Sequence, residues 1–172
     1  MKQATSLVLL LFTSFLTCNA QAKLVQNSAL NKEQQEVLDV VVRLFDGMRE
    51  ADSSKVHAAF RDNVRMYTSF TNKSGDPILH EGELQKFLDA VGTPHEQLWD
   101  EPIWDAKVNI DGNLASVWVK YAFYADKNFS HCGVDAFMLN KDKEGWQIFH
   151  ITDTRQRQGC EIPDEIRKGR DL

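Results

Sequence analysis

The sequence predicts an α+β fold in which three N-terminal helices pack on one face of a curved antiparallel sheet. Two observations carry this expectation. Between residues 31 and 92, two long stretches repeat apolar residues at the helical period, with a short capped helix between them. From Ile103 onward the pattern changes to strand-like alternation, broken by turn residues at Asp111-Gly112, at Asp126 to Asn128 and at Asn140 to Gly145. Helices gathered ahead of a meander bury their apolar stripes most simply against one face of the sheet.

The chain opens with a segment that is read by composition, not by fold. Lys2 precedes an apolar stretch from Leu7 to Leu16, and Ala20-Gln21-Ala22 supplies a small-x-small cleavage site. An apolar core of about ten residues is too short to span a bilayer, which needs roughly 20. Residues 1–22 are therefore expected to be a secretory signal peptide, followed by a linker at 23–30, a domain at 31–160 and a tail at 161–172. Lipid attachment at Cys18 is the alternative, with Thr17 where that motif prefers a smaller residue. Export makes the expected location secreted or periplasmic. Removal of the leader takes away Lys2 and no acid, moving the net charge from −5 to −6, which argues against a nucleic-acid partner.

Each element has a local reason. Asn31 is placed to cap a long helix, with Gln34 completing a capping box, and Leu38, Val41, Val42, Phe45 and Met48 form its apolar stripe. Asp52-Ser53-Ser54 caps a second, shorter helix. "VRMYTSF" is a strand, "TNKSGD" a turn and "PILH" the return arm. "EGELQKFLDAVG" is a third helix, closed by Gly92 and Pro94. Four strands follow: "IWDAKVNI", "NLASVWVKYAFY", "FSHCGVDAFML" and "WQIFHITDT".

This order of elements, ending in "GWQI", resembles the nuclear transport factor 2-like (NTF2-like) superfamily, also called the SnoaL-like or cone fold. The run from Thr93 to Phe137, with "GWQIFHITDTRQRQGC" after it, is similar to secreted bacterial members of that superfamily. The resemblance covers essentially the whole chain after the leader. It implies a deep pocket between the concave sheet face and the helices, and a homodimer through the outer face. It does not imply one activity, because the superfamily holds isomerases, cyclases, dehydratases, transport factors and non-catalytic modules.

Strand alternation then assigns residues to faces. His131 and Cys132 stand on opposite faces, so they are not a ligand pair and no metal site is expected. If Leu139 pairs with Trp146, Asp135 falls opposite His150, and both look into the concave face. The expected catalytic group is Asp135, His150 and Tyr121. Tyr67, Trp99, Trp104, His131 and Thr152 are the expected pocket walls. Asp153 and Arg155 are expected on the outer face as a surface ion pair, with Phe149, Ile151, Val134 and Trp118 on the same face; the alternative is that Arg155 or Arg157 closes the pocket mouth and binds an anionic ligand. Cys132 and Cys160, the two cysteines left after leader removal, are expected to form a disulfide in an oxidising compartment.

Three functions remain open at this point. One is a binding module for a small, partly apolar molecule, and another is a cofactor-independent acid-base enzyme of isomerase or dehydratase type. The third is a non-catalytic interaction module. No cofactor is expected for any of them. The leader gives the first testable statement: mass spectrometry of exported protein should place the N-terminus at Gln21 or Lys23, and a retained Met1 would remove the exported compartment.

Overall fold

Helix α1 (Lys32–Arg49) begins where the sequence offers its caps. The Asn31 side chain accepts from the Gln34 backbone N–H at 2.9 Å, and the Gln34 side chain accepts in return from the Asn31 N–H at 3.0 Å. Its buried stripe of Val37, Val40, Val41, Leu44, Phe45 and Met48 faces the sheet. Asp52 caps α2 (Ser53–His57) through the Ser54 and Lys55 N–H groups, each at 3.0 Å. After the hairpin of β1 (Phe60–Thr71) and β2 (Pro77–Gly82) comes α3 (Leu84–Gly92). The computed structural model describes residues 30–94 and 96–170, so the expected signal peptide at 1–22, and the linker apart from Leu30, lie outside the described residues.

Five further strands complete a seven-stranded sheet. They are β3 (Trp99–Asp100), β4 (Ile103–Asp111), β5 (Leu114–Ala125), β6 (Asn128–Asp142) and β7 (Gly145–Thr154). The order is β2-β1-β7-β6-β5-β3, with β4 also on the free side of β5. The sheet is mixed and not wholly antiparallel, because β1 lies parallel to β7. The two strands at opposite ends of the chain thus become neighbours, and β3 is an element that the alternation pattern did not single out.

The core fills the space between the helices and the concave face. Val117 and Val119 from β5, Phe137 and Leu139 from β6, and Trp146 and Ile148 from β7 meet the α1 stripe. The Phe45 and Phe137 rings pack edge to face at 6.2 Å. A second, smaller cluster forms on the outer face, where Ala122, Tyr124 and Cys132 are covered by Ile162 and Cys160 of the tail. The tail includes the short α4 (Asp164–Arg167), and Arg170 binds Asp100 and lies over the Tyr124 ring at 5.2 Å. Cys132 and Cys160 are disulfide-bonded, with 6.1 Å between their Cα atoms, as the cysteine count anticipated.

The β6–β7 register departs from expectation in two steps. The strands run on to Asp142 and Gly145, so the turn is two residues long and Lys141, rather than Leu139, pairs with Trp146. That two-residue shift preserves faces. The second step does not: Leu139 pairs with Ile148 but Met138 pairs with His150, leaving Phe149 as an extra residue in β7. Such a bulge turns every later side chain to the opposite face. His150 and Thr152 therefore move outside, while Ile151, Asp153 and Arg155 turn inward.

Gly133 marks a second tight place. A Cβ there would stand 1.9 Å from the Thr154 carbonyl oxygen, a backbone atom that cannot swing aside. Gly133→Ala should therefore push β7 away from β6, with a loss of about 1 to 3 kcal/mol by chemical denaturation; an unchanged midpoint would contradict this packing. Cys160→Ser should lower stability by roughly 3 kcal/mol, in line with the 28-position separation it would leave open. Limited proteolysis of that variant should cut first in the tail.

Candidate functional site

A cavity of about 620 Å³ lies between the concave face and the helices. Leu44, Phe45 and Met48 of α1 and Phe87 of α3 form its apolar roof. Across from them the sheet presents polar groups. β5 contributes Tyr121 and Phe123, β6 contributes His131 and Asp135, and β7 contributes Ile151, Asp153 and, just past its end, Arg155. Glu101 enters from the link between β3 and β4.

Two carboxyls in this cavity have very different surroundings. Asp153 accepts from Thr68 Oγ1 at 2.6 Å, from Arg155 Nε at 2.6 Å and from the Tyr121 hydroxyl at 3.3 Å. Those donors stabilise its charge. Asp135 is 2% exposed, and among the described residues its Oδ2 has no hydrogen-bond partner. Burial first, and then the negative charges of Glu101 and Asp153, push the Asp135 carboxyl well above the ordinary carboxylate range, against a smaller opposing effect of Arg155. Glu101 is pushed up to about 8, by burial first and by Asp153 next. At neutral pH Glu101 carries a proton and can donate as well as accept, and the Asp135 carboxyl is displaced in the same direction.

The remaining polar groups are fixed by the sheet. The Tyr121 hydroxyl donates to the Thr154 carbonyl at 2.9 Å, and burial raises its pKa beyond the working range. His131 packs against Phe123 at 5.3 Å and Tyr121 at 5.7 Å. Burial, followed by the Arg155 charge, lowers its pKa to about 4, so its imidazole is neutral at physiological pH. The ring nitrogen Nδ1 is 3.0 Å from Ser130 Oγ. Among the described residues, no group of three His, Cys, Asp or Glu side chains is spaced to hold a metal ion.

The structure brings together Asp135, Tyr121, His131 and Trp99 among the residues singled out from sequence. Trp99 closes one side, packing edge to face on Phe123 at 6.0 Å. It does not bring in His150, which stands on the outer face with its Nε2 2.8 Å from Thr152 Oγ1; the bulge at Phe149 is the reason. Thr152 is outside for the same reason. Tyr67 borders the cavity, but its ring packs on His150 at 5.7 Å and its hydroxyl donates to Glu81 Oε1. Trp104 pairs with Lys120 and packs with the outer, tail-covered cluster.

Asp153 and Arg155, expected as a surface pair, are instead cavity residues, and Ile151 lines the cavity with them. Glu101 and Thr68 were not singled out at all. A signal for Glu101 was available in "WDEPIWD", where carboxylates crowd a short link flanked by tryptophans, but strand alternation says nothing about residues outside strands.

Comparison with known proteins follows the same lines. Residues 32–151 match a family model described as "Putative lumazine-binding". An NTF2-like protein of unknown function from Shewanella baltica is similar in structure at a TM-score of 0.58 and 17% identity, covering 77% of this chain and 100% of that one. An NTF2-like protein from Cytophaga hutchinsonii gives 0.57 and 12%, covering 74% and 100%. A Nostoc punctiforme protein of unknown function with a cystatin-like fold gives 0.54 and 8%, covering 72% and 91%. At these identities the likeness concerns the fold. No functionally curated protein matches. With the family model spanning most of the chain, the chain belongs to the family described as "Putative lumazine-binding", and it has an NTF2-like fold.

Proposed function

We propose that this protein binds a small, planar, partly apolar molecule in the cone cavity, with a lactam or imide edge directed at Asp135. The supporting observation is the Asp135 carboxyl itself. It is buried, among the described residues it is unpartnered at Oδ2, and it belongs to the lining of a cavity whose walls mix aromatic and aliphatic side chains with polar ones. A buried polar atom without a partner costs free energy that a bound ligand would recover. A protonated carboxyl presents one donor beside one acceptor, which complements an adjacent N–H and C=O on a ring. Lumazine, named in the family description, is a heterocycle with such an edge. The cavity volume lies in the range of small-molecule sites.

A second reading is supported by the opposite pKa displacements in one cavity. Glu101 is raised to about 8 and His131 lowered to about 4, so a protonated acid and a neutral imidazole coexist at neutral pH. In an acid-base enzyme of isomerase or dehydratase type, Asp135 and Tyr121 would remain in the reacting group, and His131 would take the place expected for His150. Solvent deuterium entering a bound ligand would distinguish turnover from binding.

The exported location is part of the same proposal. The disulfide supports it, and among the described residues no helix is long and apolar enough to cross a membrane. Self-association through the outer face is likewise proposed, because Trp118 is 52% exposed there, on the strand pairing with Ala136.

Riboflavin, which carries the same pyrimidinedione edge as lumazine, is a fluorescent probe for the cavity. Its fluorescence should be quenched saturably by the folded protein near pH 6.5. Affinity should weaken as pH rises through about 8, where Glu101 loses its proton. Asp135→Ala should weaken binding by about tenfold or more, as expected for one lost buried hydrogen bond, whereas Asp135→Asn should bind with a flatter pH profile. Absence of saturable quenching would overturn the reading.

Stability should follow the same protons. Because the folded-state pKa of Glu101 is raised from 4.5 to about 8, the folded state holds a proton that the unfolded chain releases. The contribution is present below about pH 4.5 and is lost as pH rises through 8, so the denaturation midpoint should fall across that window. In Glu101→Gln the fall should be shallower; an unchanged slope would remove the buried proton.

A further inference from the structure

Beside the inner cavity lies a second hollow, between the β1–β2 hairpin and the segment that leaves β7. Thr68, His80, His131 and Arg155 line both spaces, so the two are neighbours across a shared wall. Their linings differ in charge. The inner cavity includes the carboxyl side chains of Glu101, Asp135 and Asp153, whereas among the described residues the outer hollow has no carboxylate in its lining and is bordered by Lys73, Arg155 and Arg157. The chain as a whole carries a net charge of −5, so a concentration of positive charge here runs against the average of the surface.

The three cations are also available. Arg155 gives its Nε to Asp153, which orients the guanidinium, and among the described residues its two terminal nitrogens make no hydrogen bond. Among the described residues neither Lys73 nor Arg157 takes part in an ion pair. Arg155 and Arg157 act on the same place, since both charges help to hold His131 neutral. Two guanidinium groups and one ammonium around a polar hollow suit a phosphate, which accepts several charge-assisted hydrogen bonds at once.

We propose that the cone takes an amphipathic ligand end on, with an uncharged planar ring in the inner cavity and a phosphate-bearing tail held at the mouth by Arg155, Arg157 and Lys73. The ring half rests on the function proposed above, and the phosphate half stands on the outer hollow alone. An Arg155 anchored to Asp153 sits between the two halves and would sense both ends of such a ligand. Without a built anion site, a protein of net negative charge would disfavour the phosphorylated member of any ligand pair.

Riboflavin and its 5′-phosphate differ by that group alone, so their affinities for the full protein test the tail directly by fluorescence titration. The phosphate ester should bind about tenfold more tightly at low ionic strength, with a preference that shrinks toward about 0.15 M salt. Arg157→Ala and Lys73→Ala should each reduce that preference while leaving riboflavin affinity unchanged. Inorganic phosphate, followed by calorimetry, should bind the wild type saturably and Arg157→Ala more weakly. Equal affinity for the two flavins, or a preference untouched by both substitutions, would overturn the phosphate site and leave the ring cavity standing. Saturable phosphate binding without riboflavin binding would overturn the end-on ligand and leave the anion site alone.

Discussion

The cavity depends on a single extra residue in β7, because Phe149 decides which side chains look inward from there to the end of the strand. Before it, Trp146 and Ile148 fill the core; after it, Ile151 and Asp153 face the cavity, and His150 and Thr152 face out. The same stretch is where β1 takes up regular parallel pairing, with a break between Phe60 and Arg65 on its side. Asp153 can then reach Thr68 on β1 and Tyr121 on β5 from opposite directions. With unbroken alternation Asp153 would point away from both. A bulge beside a functional pocket is a common way to re-aim a side chain.

Placing three carboxyls in one cavity forces a division between them. Asp153 receives the strong donors, including the Arg155 guanidinium. Asp135 and Glu101 receive desolvation and negative neighbours, which raise both carboxyls above the ordinary carboxylate range. The outcome follows from who is bonded to whom and not from residue type, since two of the three are aspartates. Tyr121 cannot change this balance by ionising, because burial and the surrounding carboxyls raise its pKa as well. Glu101, raised to about 8, His131, lowered to about 4, and Tyr121 therefore offer neutral hydrogen-bonding groups near pH 7 beside the Asp153–Arg155 ion pair.

Much of the fold could be read directly from the chain. The Asn31 capping box and the Asp52 cap rest on local chemistry and are found; of the expected α1 stripe Val41, Phe45 and Met48 are buried, whereas Val42 is exposed and Val37, Val40 and Leu44 turn inward with them. The disulfide was legible from a residue count and a compartment. The bulge was not, because Ile148, Phe149 and Ile151 are all apolar, and a run without clear alternation does not announce where its phase changes. The parallel β1–β7 contact is equally hidden, since it joins segments about 80 residues apart through tertiary packing. Half of the site was therefore visible: the β5 and β6 residues Tyr121, His131 and Asp135, but not Glu101, Asp153 or Arg155.

The tail gives the disulfide a significance that reaches beyond its own cluster. Arg170, ten residues past Cys160, docks on Asp100, which Arg49 holds on its other side and which immediately precedes Glu101. With Cys160 fastened to β6, that docking is an intramolecular step whose effective concentration is set by a short tether, on the order of millimolar. A free tail would have to find Asp100 over a longer span of loose chain. The oxidised crosslink on the outer face thereby holds taut the link that delivers Glu101 to the inner one, and the redox state of the surroundings becomes a determinant of how well the cavity is assembled.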